Sequence, residues 1–478
     1  MKIGFLSMDH LRDWTGITRL IDRIAAEMVR RGHSVVIIAR DFKASAKIPV
    51  SMLDYPHELI RIDINSPKAR EESREKISAS DIQVCAVSIG DSSLPQVSAI
   101  FKGSVIPYVL GEPFDPRVLI YQRGNPYVHF GALYSADAVQ VLLSRYLPYY
   151  PEVLRRRAFV IGNPVHPPSD VDFKARREKT IRTIVSVGRF NEDDKRFSLL
   201  IRAFALLYKD FPDWRLKLVG DGQFWEYYHI MAEQLGIKKV VIFTGGVPDP
   251  DKHYADSDIF CLPSRAEGFP MVLTEAAAHA LPLAGYRTCM ALDVLIEPDM
   301  GVLAEAEPIS ETEESDTPQA LADKLRSLME LSPEEREKIG KRVQEKLQSD
   351  HGESIVFDKW EELLSDVCKK VSTTGKTALE RISEDFTMNG INSIPPEWDG
   401  LTPDSPVWTD ETLSAAARFL NKPEGSEESG VNEQDASESE LLRLRCEIAG
   451  LKRDYATLEK KYASLLGQFQ AAAGRRRK

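Results

Sequence analysis

The segment "RTIVSVGRFNEDDKRFSLLIRAFALLYKDF", Arg182–Phe211, decides the fold. Its opening "RTIVSV" is an apolar, β-branched run of the kind buried in parallel sheets. After a polar loop, "FSLLIRAFALLYKDF" places apolar residues at helical spacing. This strand, loop and helix restart an alternation that the chain has already used. Upstream, the strand "KIGFL" leads to the amphipathic run "TRLIDRIAAEMVRRG", Thr18–Gly32, which ends at a glycine cap, and then to the strand "HSVVIIARD". That is a βαβ unit. "IQVCAVSIG", "VIPYVLG", "AVQVLLS" and "AFVIGNPV" supply further strands. Downstream, "RLKLVGDG", "KVVIFTGG", "DIFCLPS" and "LPLAGY" alternate with helical runs. The expected class is α/β, with two Rossmann-like, doubly wound domains at residues 1–165 and 166–345, closed by an amphipathic helix over 346–372.

The length fits this reading: 478 residues at ~150 per domain allow about three units. Hydrophobic residues make up 43% and charged residues 28%, an ordinary globular balance. The net charge is −11 and the pI about 5.5, which argues against nucleic acid as a partner. Five scattered cysteines, odd in number and without metal-like spacing, suit reduced thiols. The start is too short in its apolar run for a signal peptide, and no run reaches the ~18 residues of a membrane span. A cytoplasmic location is expected.

Residues 373–440 form a linker. Its stretch "KPEGSEESGVNEQDASESE" is acidic and almost free of large apolar residues, so disorder is expected there. Over 441–470, Leu441, Leu444, Ile448, Leu451, Tyr455, Leu458, Tyr462, Leu465 and Phe469 keep a heptad seam. A coiled coil that makes a homo-oligomer is preferred over an amphipathic helix docked on the body. The basic end "GRRRK" reads as a solvated tail, and a peripheral contact with the inner face of a membrane is the minor alternative.

The chemistry gathers at two loops. Arg189 leaves the strand of the opening segment, and Lys195 follows at the next helix start. Ligands of open α/β sheets bind beyond the carboxyl ends of the strands. Two cations at such a place can hold a diphosphate. Taken alone, the pair fits surface cations matched with Glu192, Asp193 and Asp194 better. The run of acids prompts no metal assignment. In "RAEGFPMVLTEAAAHALP", Arg265–Pro282, Glu267 stands before a helix start and Glu275 inside the helix. Pro270 suits the first helical turn, which leaves neighbouring amides unpaired toward the crevice. Glu267 can accept from sugar hydroxyls, and Glu275 can accept from a ribose. A solvated helix face is the competing account, and the apolar "MVL" and "AAAHAL" argue against it.

These residues resemble a known family. "SVGRF…DKRFSLLIRAF", "LKLVGDG", "VIFTGGVPD", "YADSDIFCLPSRAEGFPMVLTEAAAHALPLAG" and "MGVL" occur in the order seen in retaining family 4 glycosyltransferases of GT-B fold, the glycosyl transferases group 1. The likeness is densest from Ile184 to Gly301, and "WTGITRLIDRIAAEMVRRGHSV" is similar to that family's glycine loop and helix. The resemblance implies two domains facing across a cleft and a nucleotide-sugar donor. It implies a carbohydrate, lipid-linked or small acceptor, no cofactor and no metal. It assigns Arg189 and Lys195 to the donor diphosphate and Glu267 to the donor sugar. It gives Gly268, Phe269, Pro270 and Met271 to sugar and phosphate through backbone amides, Glu275 to the ribose and Gly16 to the first-domain glycine loop. Departures are Ile17 after Gly16, Glu112 where a histidine is common, Ala280 where a glycine is common, and "YRTCMALDVLI" in place of a glycine-rich turn. His10, His129 and His166 are expected to be structural or surface residues, with His10 kept open beside the glycine loop. The alternative from another class is a catalytically inactive GT-B module that oligomerises through its C-terminal helix. A third, a nucleotide-dependent oxidoreductase, is disfavoured because no G-x-G-x-x-G follows "KIGFL".

Overall fold

Both halves close as parallel sheets. The computed structural model describes residues 1–8, 16–40, 53–88, 94–102, 104–118, 133, 135–150, 152–310, 313–372 and 375–376. The linker and heptad segment, with His10 and His129, lie outside these residues. In the first half, strands β1 (Lys2–Leu6), β2 (Ser34–Arg40), β3 (Glu58–Ile62), β4 (Val84–Ser88), β5 (Tyr108–Glu112), β6 (Ala138–Val141) and β7 (Ala158–Val160) form a sheet in the order β3-β2-β1-β4-β5-β6-β7. Every pairing is parallel. In the second, β8 (Arg182–Val187), β9 (Trp214–Val219), β10 (Val241–Phe243), β11 (Ile259–Leu262), β12 (Leu283–Tyr286) and β13 (Gly301–Ala304) run β10-β9-β8-β11-β12-β13, again all parallel. A two-stranded hairpin at Glu307–Ser310 and Glu313–Ser315 carries no strand signal that the sequence reading used.

The apolar runs end where they were expected to. Val35 through Ala39 of β2 are buried on both faces, as a strand inside a parallel sheet must be. Helix α1 (Gly16–Arg30) buries Thr18, Ile21, Ile24, Ala25 and Met28 at helical spacing. It stops at Gly32, whose φ of 88° allows the His33 amide to reach back to the Met28 carbonyl at 3.0 Å. Helix α2 (Phe197–Leu207) and helix α3 (Met271–Ala278) belong to the second domain. Cys85, Cys261, Cys289 and Cys368 are buried and unbridged.

The chain crosses between domains twice, side by side. Val165 pairs with Gly352 in an isolated bridge, and its amide donates to the His351 carbonyl at 2.8 Å. Position 345 lies inside helix α4 (Pro333–His351), which a Ser332–Glu335 capping box starts. The break comes at Gly352, and helix α5 (Glu353–Ser372) then returns to the first domain. Its Val356, Phe357, Trp360, Leu363, Leu364 and Val367 share one core with Ile3, Phe5, Ile37 and Val84. Another core lies within the second domain, around Phe190, Phe197, Trp214 and Tyr228. Among the described residues, no helix is long and apolar enough to cross a membrane.

The strand orders place the site. Each sheet reverses direction once, between β1 and β4 in the first and between β8 and β11 in the second. A crevice opens beyond the carboxyl ends of strands at such a reversal.

Candidate functional site

One cavity of about 1410 Å³ runs between the two reversal points. Ser7 and Met8 after β1, and Ser88 at the end of β4, line it from one side. Gly188, Arg189 and Lys195 after β8, with the loop after β11, line it from the other. All nine residues singled out from the sequence reach this space: Gly16, Arg189, Lys195, Glu267, Gly268, Phe269, Pro270, Met271 and Glu275. Gly16 opens α1 and Met271 opens α3, and a Cβ on Gly16 would stand 3.7 Å from Met271 Cγ. The N-termini of two helices therefore meet at the cavity, each bringing the positive end of a helix dipole.

The cations do not pair as surface residues would. Lys195 Nζ binds Glu267 Oε1 at 2.5 Å, with both side chains largely shielded. Arg189 is exposed and forms no ion pair among the described residues. The surface-pair account expected Glu192, Asp193 and Asp194 to match them, and the structure corrects it. Glu192 accepts from Ser198 and from Tyr228 Oη at 2.7 Å, which fixes it to α2 and its neighbour helix. Asp194 accepts from Asn191 Nδ2 at 3.2 Å, and its carbonyl takes the Arg265 amide at 2.9 Å, which ties the two site loops together. Arg196, next to Lys195 in sequence, turns inward. It binds Asp316 at 2.7 Å and donates to the Pro263 and Ser264 carbonyls. Gly220 makes room for this arrangement, since a Cβ there would collide with the Gly188 carbonyl.

The loop after β11 departs in one detail from expectation. Pro270 is the N-cap of α3 rather than a residue of its first turn. The amides of Gly268, Phe269, Met271 and Val272 meet no protein acceptor among the described residues. They line the same cavity as the two carboxylates. Glu275 is half-buried and accepts from Tyr254 Oη at 2.7 Å. Burial raises its pKa above the usual carboxylate value, opposed by the Tyr254 hydrogen bond and by nearby Arg19.

The first domain supplies residues the sequence reading did not select. Tyr146 Oη donates to the Glu267 and Gly268 carbonyls, and Asn163 Nδ2 to the Phe269 carbonyl. Arg19 donates to the Pro248 carbonyl at 3.1 Å. His166, expected to be structural or at the surface, lines the cavity. Its Nε2 lies 3.1 Å from Arg23 Nη1, and burial and that cation hold its pKa down to about 4. The imidazole is therefore neutral, accepts from Arg23 and keeps its proton on Nδ1. Glu112 is buried at the end of β5, outside the cavity lining, and the wall there is Pro113, Phe114 and Asp115. Asp115 is held by Arg117 at 2.6 Å. Among the described residues, no group of three or more His, Cys, Asp or Glu side chains is placed to hold a metal ion.

Residues 169–346 match the family described as glycosyl transferases group 1. The whole fold is similar to that of Anabaena HepE, solved in complex with UDP and glucose, with a TM-score of 0.62 and 17% identity over 77% of this chain and all of that one. The architecture is GT-B, and the second domain carries the group 1 glycosyl transferase pattern. An uncharacterized glycosyltransferase of Haemophilus influenzae is 27% identical over 322 residues, 65% of this chain and 88% of that protein. A GDP-mannose-dependent alpha-(1-6)-phosphatidylinositol monomannoside mannosyltransferase of Mycolicibacterium smegmatis is 32% identical over 116 residues, 22% of this chain and 30% of that protein.

Proposed function

We propose that the protein is a retaining, metal-independent glycosyltransferase. It moves a sugar from a nucleotide-sugar donor to a glycan, lipid-linked or small acceptor on the cytoplasmic side. One observation carries this reading. Arg189, Lys195, Glu267 and Glu275 surround a single cavity, with unpaired loop amides between the two carboxylates. Cations at one end suit a diphosphate. Glu275 suits the two ribose hydroxyls, and Glu267 with the amides suits the sugar and its phosphate.

The Lys195–Glu267 pair gives the donor a way in. An entering diphosphate competes for Lys195, and the freed Glu267 carboxylate then accepts from sugar hydroxyls. As the sugar–phosphate bond breaks, negative charge grows on the leaving diphosphate. Arg189 and Lys195 are placed to stabilise it, an electrostatic contribution that strengthens toward the transition state. Retention follows if the acceptor oxygen attacks from the face the diphosphate leaves and passes its proton to a leaving phosphate oxygen. The names of relatives that use GDP-mannose, and of a structural neighbour holding UDP and glucose, support a nucleotide-linked donor.

The test is a thermal-shift panel of UDP-glucose, UDP-N-acetylglucosamine, GDP-mannose and ADP-glucose without added metal. NMR follows the anomeric configuration of any product. A selective rise in melting temperature with slow hydrolysis supports the reading, because binding to the folded form alone stabilises it. No shift on folded protein would favour the inactive module.

A further inference from the structure

The loop that carries Glu267 belongs to the second domain, yet its backbone is held by the first. Tyr146 Oη donates to the Glu267 carbonyl at 2.7 Å and to the Gly268 carbonyl at 2.9 Å. Asn163 Nδ2 donates to the Phe269 carbonyl at 2.8 Å. Three consecutive carbonyls are thus taken by two side chains more than a hundred residues away in sequence. Both side chains are buried, and burial drives the Tyr146 pKa well above its ordinary value, so its hydroxyl stays a donor. The contact continues in carbon. Gly268 lies so close to the Pro113 carbonyl that a Cβ would collide with it, and the Phe269 ring packs edge-on against His351 at the domain crossing, 4.9 Å between centroids.

A trans peptide is planar, with its C=O and the following N–H pointing in opposite directions. A first-domain side chain that captures the Glu267 and Gly268 carbonyls therefore turns the Gly268 and Phe269 amides the other way. Those are the amides that meet no protein acceptor among the described residues and line the cavity. With the first domain withdrawn, the three carbonyls would exchange these partners for water, a net loss of about 0.5–1.5 kcal/mol for each hydrogen bond.

We propose that Tyr146 and Asn163 are positioning residues that couple the seating of the first domain to the orientation of the Glu267–Phe269 loop. The sugar end of the site is then complete only when the domains are closed, while Arg189, Lys195 and the ribose acceptor Glu275 are all carried by the second domain. This rests on the donor reading above. It adds that sugar and nucleotide are recognised under different conditions: the nucleotide in any domain arrangement, the sugar only in the closed one.

The experiment compares the full chain with its Tyr146→Phe variant, which removes only the hydroxyl. Hydrolysis is measured for whichever of the four panel donors the parent turns over, alongside binding of the matching nucleoside diphosphate. Hydrogen exchange is followed at Leu273 and Thr274, whose amides donate to the Pro270 carbonyl at the end of the loop. The expected result is a fall in kcat/KM of about tenfold, with diphosphate affinity within about twofold of the parent. Exchange at Leu273 and Thr274 should quicken about tenfold, the mark of local opening rather than global unfolding. Equal losses of kcat/KM and diphosphate affinity would reduce Tyr146 to a structural residue and overturn the proposal. So would unchanged exchange. A parent that turns over none of the four donors would sink the donor reading, and exchange in Tyr146→Phe would still decide whether the first domain holds the loop.

Discussion

At the mouth of the second sheet, Lys195 and Glu267 meet at 2.5 Å, both on loops of that domain. At the mouth of the first sheet, Tyr146 and Asn163 reach across to carbonyls of the other domain. The two mouths share one topology, a switch in strand order within a parallel sheet. They differ in what they offer a ligand. The second presents charge and free amides. The first mostly presents groups that shape its partner, with Arg19 beside them and Arg23 meeting the neutral His166 of the second domain. A cleft between two similar domains can thus divide its work, one side binding and the other holding the binder in form.

Removing the central charge of the second mouth should have the largest effect. Lys195→Ala leaves the shielded Glu267 without its partner and, with Lys195 at the leaving diphosphate as proposed, also removes a cation from the leaving group. Turnover of the donor should fall by about two to three orders of magnitude, read as kcat/KM for hydrolysis. An equal loss from Tyr146→Phe would erase the division between the mouths.

Gly268→Ala attacks the seam between them. Its Cβ would lie 2.7 Å from Leu142 Cδ1 and closer still to the Pro113 carbonyl. Overpacking of this kind costs about 1–3 kcal/mol. The expected outcome is a lower Tm together with a kcat/KM loss of roughly tenfold or more, because the domains must separate to fit the methyl group. Parental activity with only a lowered Tm would show that closure does not matter to the site.

Glu275→Gln sharpens the picture within the second mouth. Burial raises the Glu275 pKa, so the folded form binds its proton more tightly than the unfolded chain does. Folding stability from this group is present below the unfolded value and is lost as pH rises through the folded one. The glutamine variant should therefore melt higher than the parent at pH 7, with the advantage shrinking as pH falls through the carboxylate range. Donor affinity should drop about tenfold, since an amide accepts only one of the two ribose hydroxyls well. In the parent, donor affinity should begin to fall at a higher pH than an ordinary glutamate would give.

The smallest effect belongs to Ala280, just past α3, with a φ of 50°. An alanine in the left-handed region costs about 1 kcal/mol, which glycine avoids in part. Ala280→Gly relieves that strain but gives up a buried methyl group and frees the unfolded chain, so stability in denaturant unfolding should change by less than about 1 kcal/mol with turnover unaltered.

How much of this was legible beforehand follows from how the contacts are made. The β8 and β11 loops could be read because each is one short stretch between a strand and a helix. Strand, loop and helix at that spacing must bring the loop to the crevice, so Arg189, Lys195 and Glu267 followed. Periodicity likewise fixed β1, α1 and β2, including the glycine stop at Gly32. It did not fix the start of the closing helix, because nothing at position 345 breaks a helix and Gly352 does.

Other features had no local signal. Lys195 and Arg196 are adjacent cations of similar length. Only the packing of α2 against the β11 loop sends one to the cavity and the other to Asp316 and the Pro263 and Ser264 carbonyls. Tyr146 in "SRYLPYY" and Asn163 in "IGNPV" resemble any core tyrosine and any loop asparagine. Their partners are backbone carbonyls, which carry no residue identity, at sequence separations of 121, 122 and 106. The sequence by itself determined two parallel sheets, the order of their elements along the chain and the loops that carry Arg189, Lys195, Glu267 and Glu275, because these depend on periodicity and spacing along the chain. Only the tertiary structure decided which first-domain side chains hold the Glu267–Phe269 loop, because that depends on how two independently patterned surfaces meet.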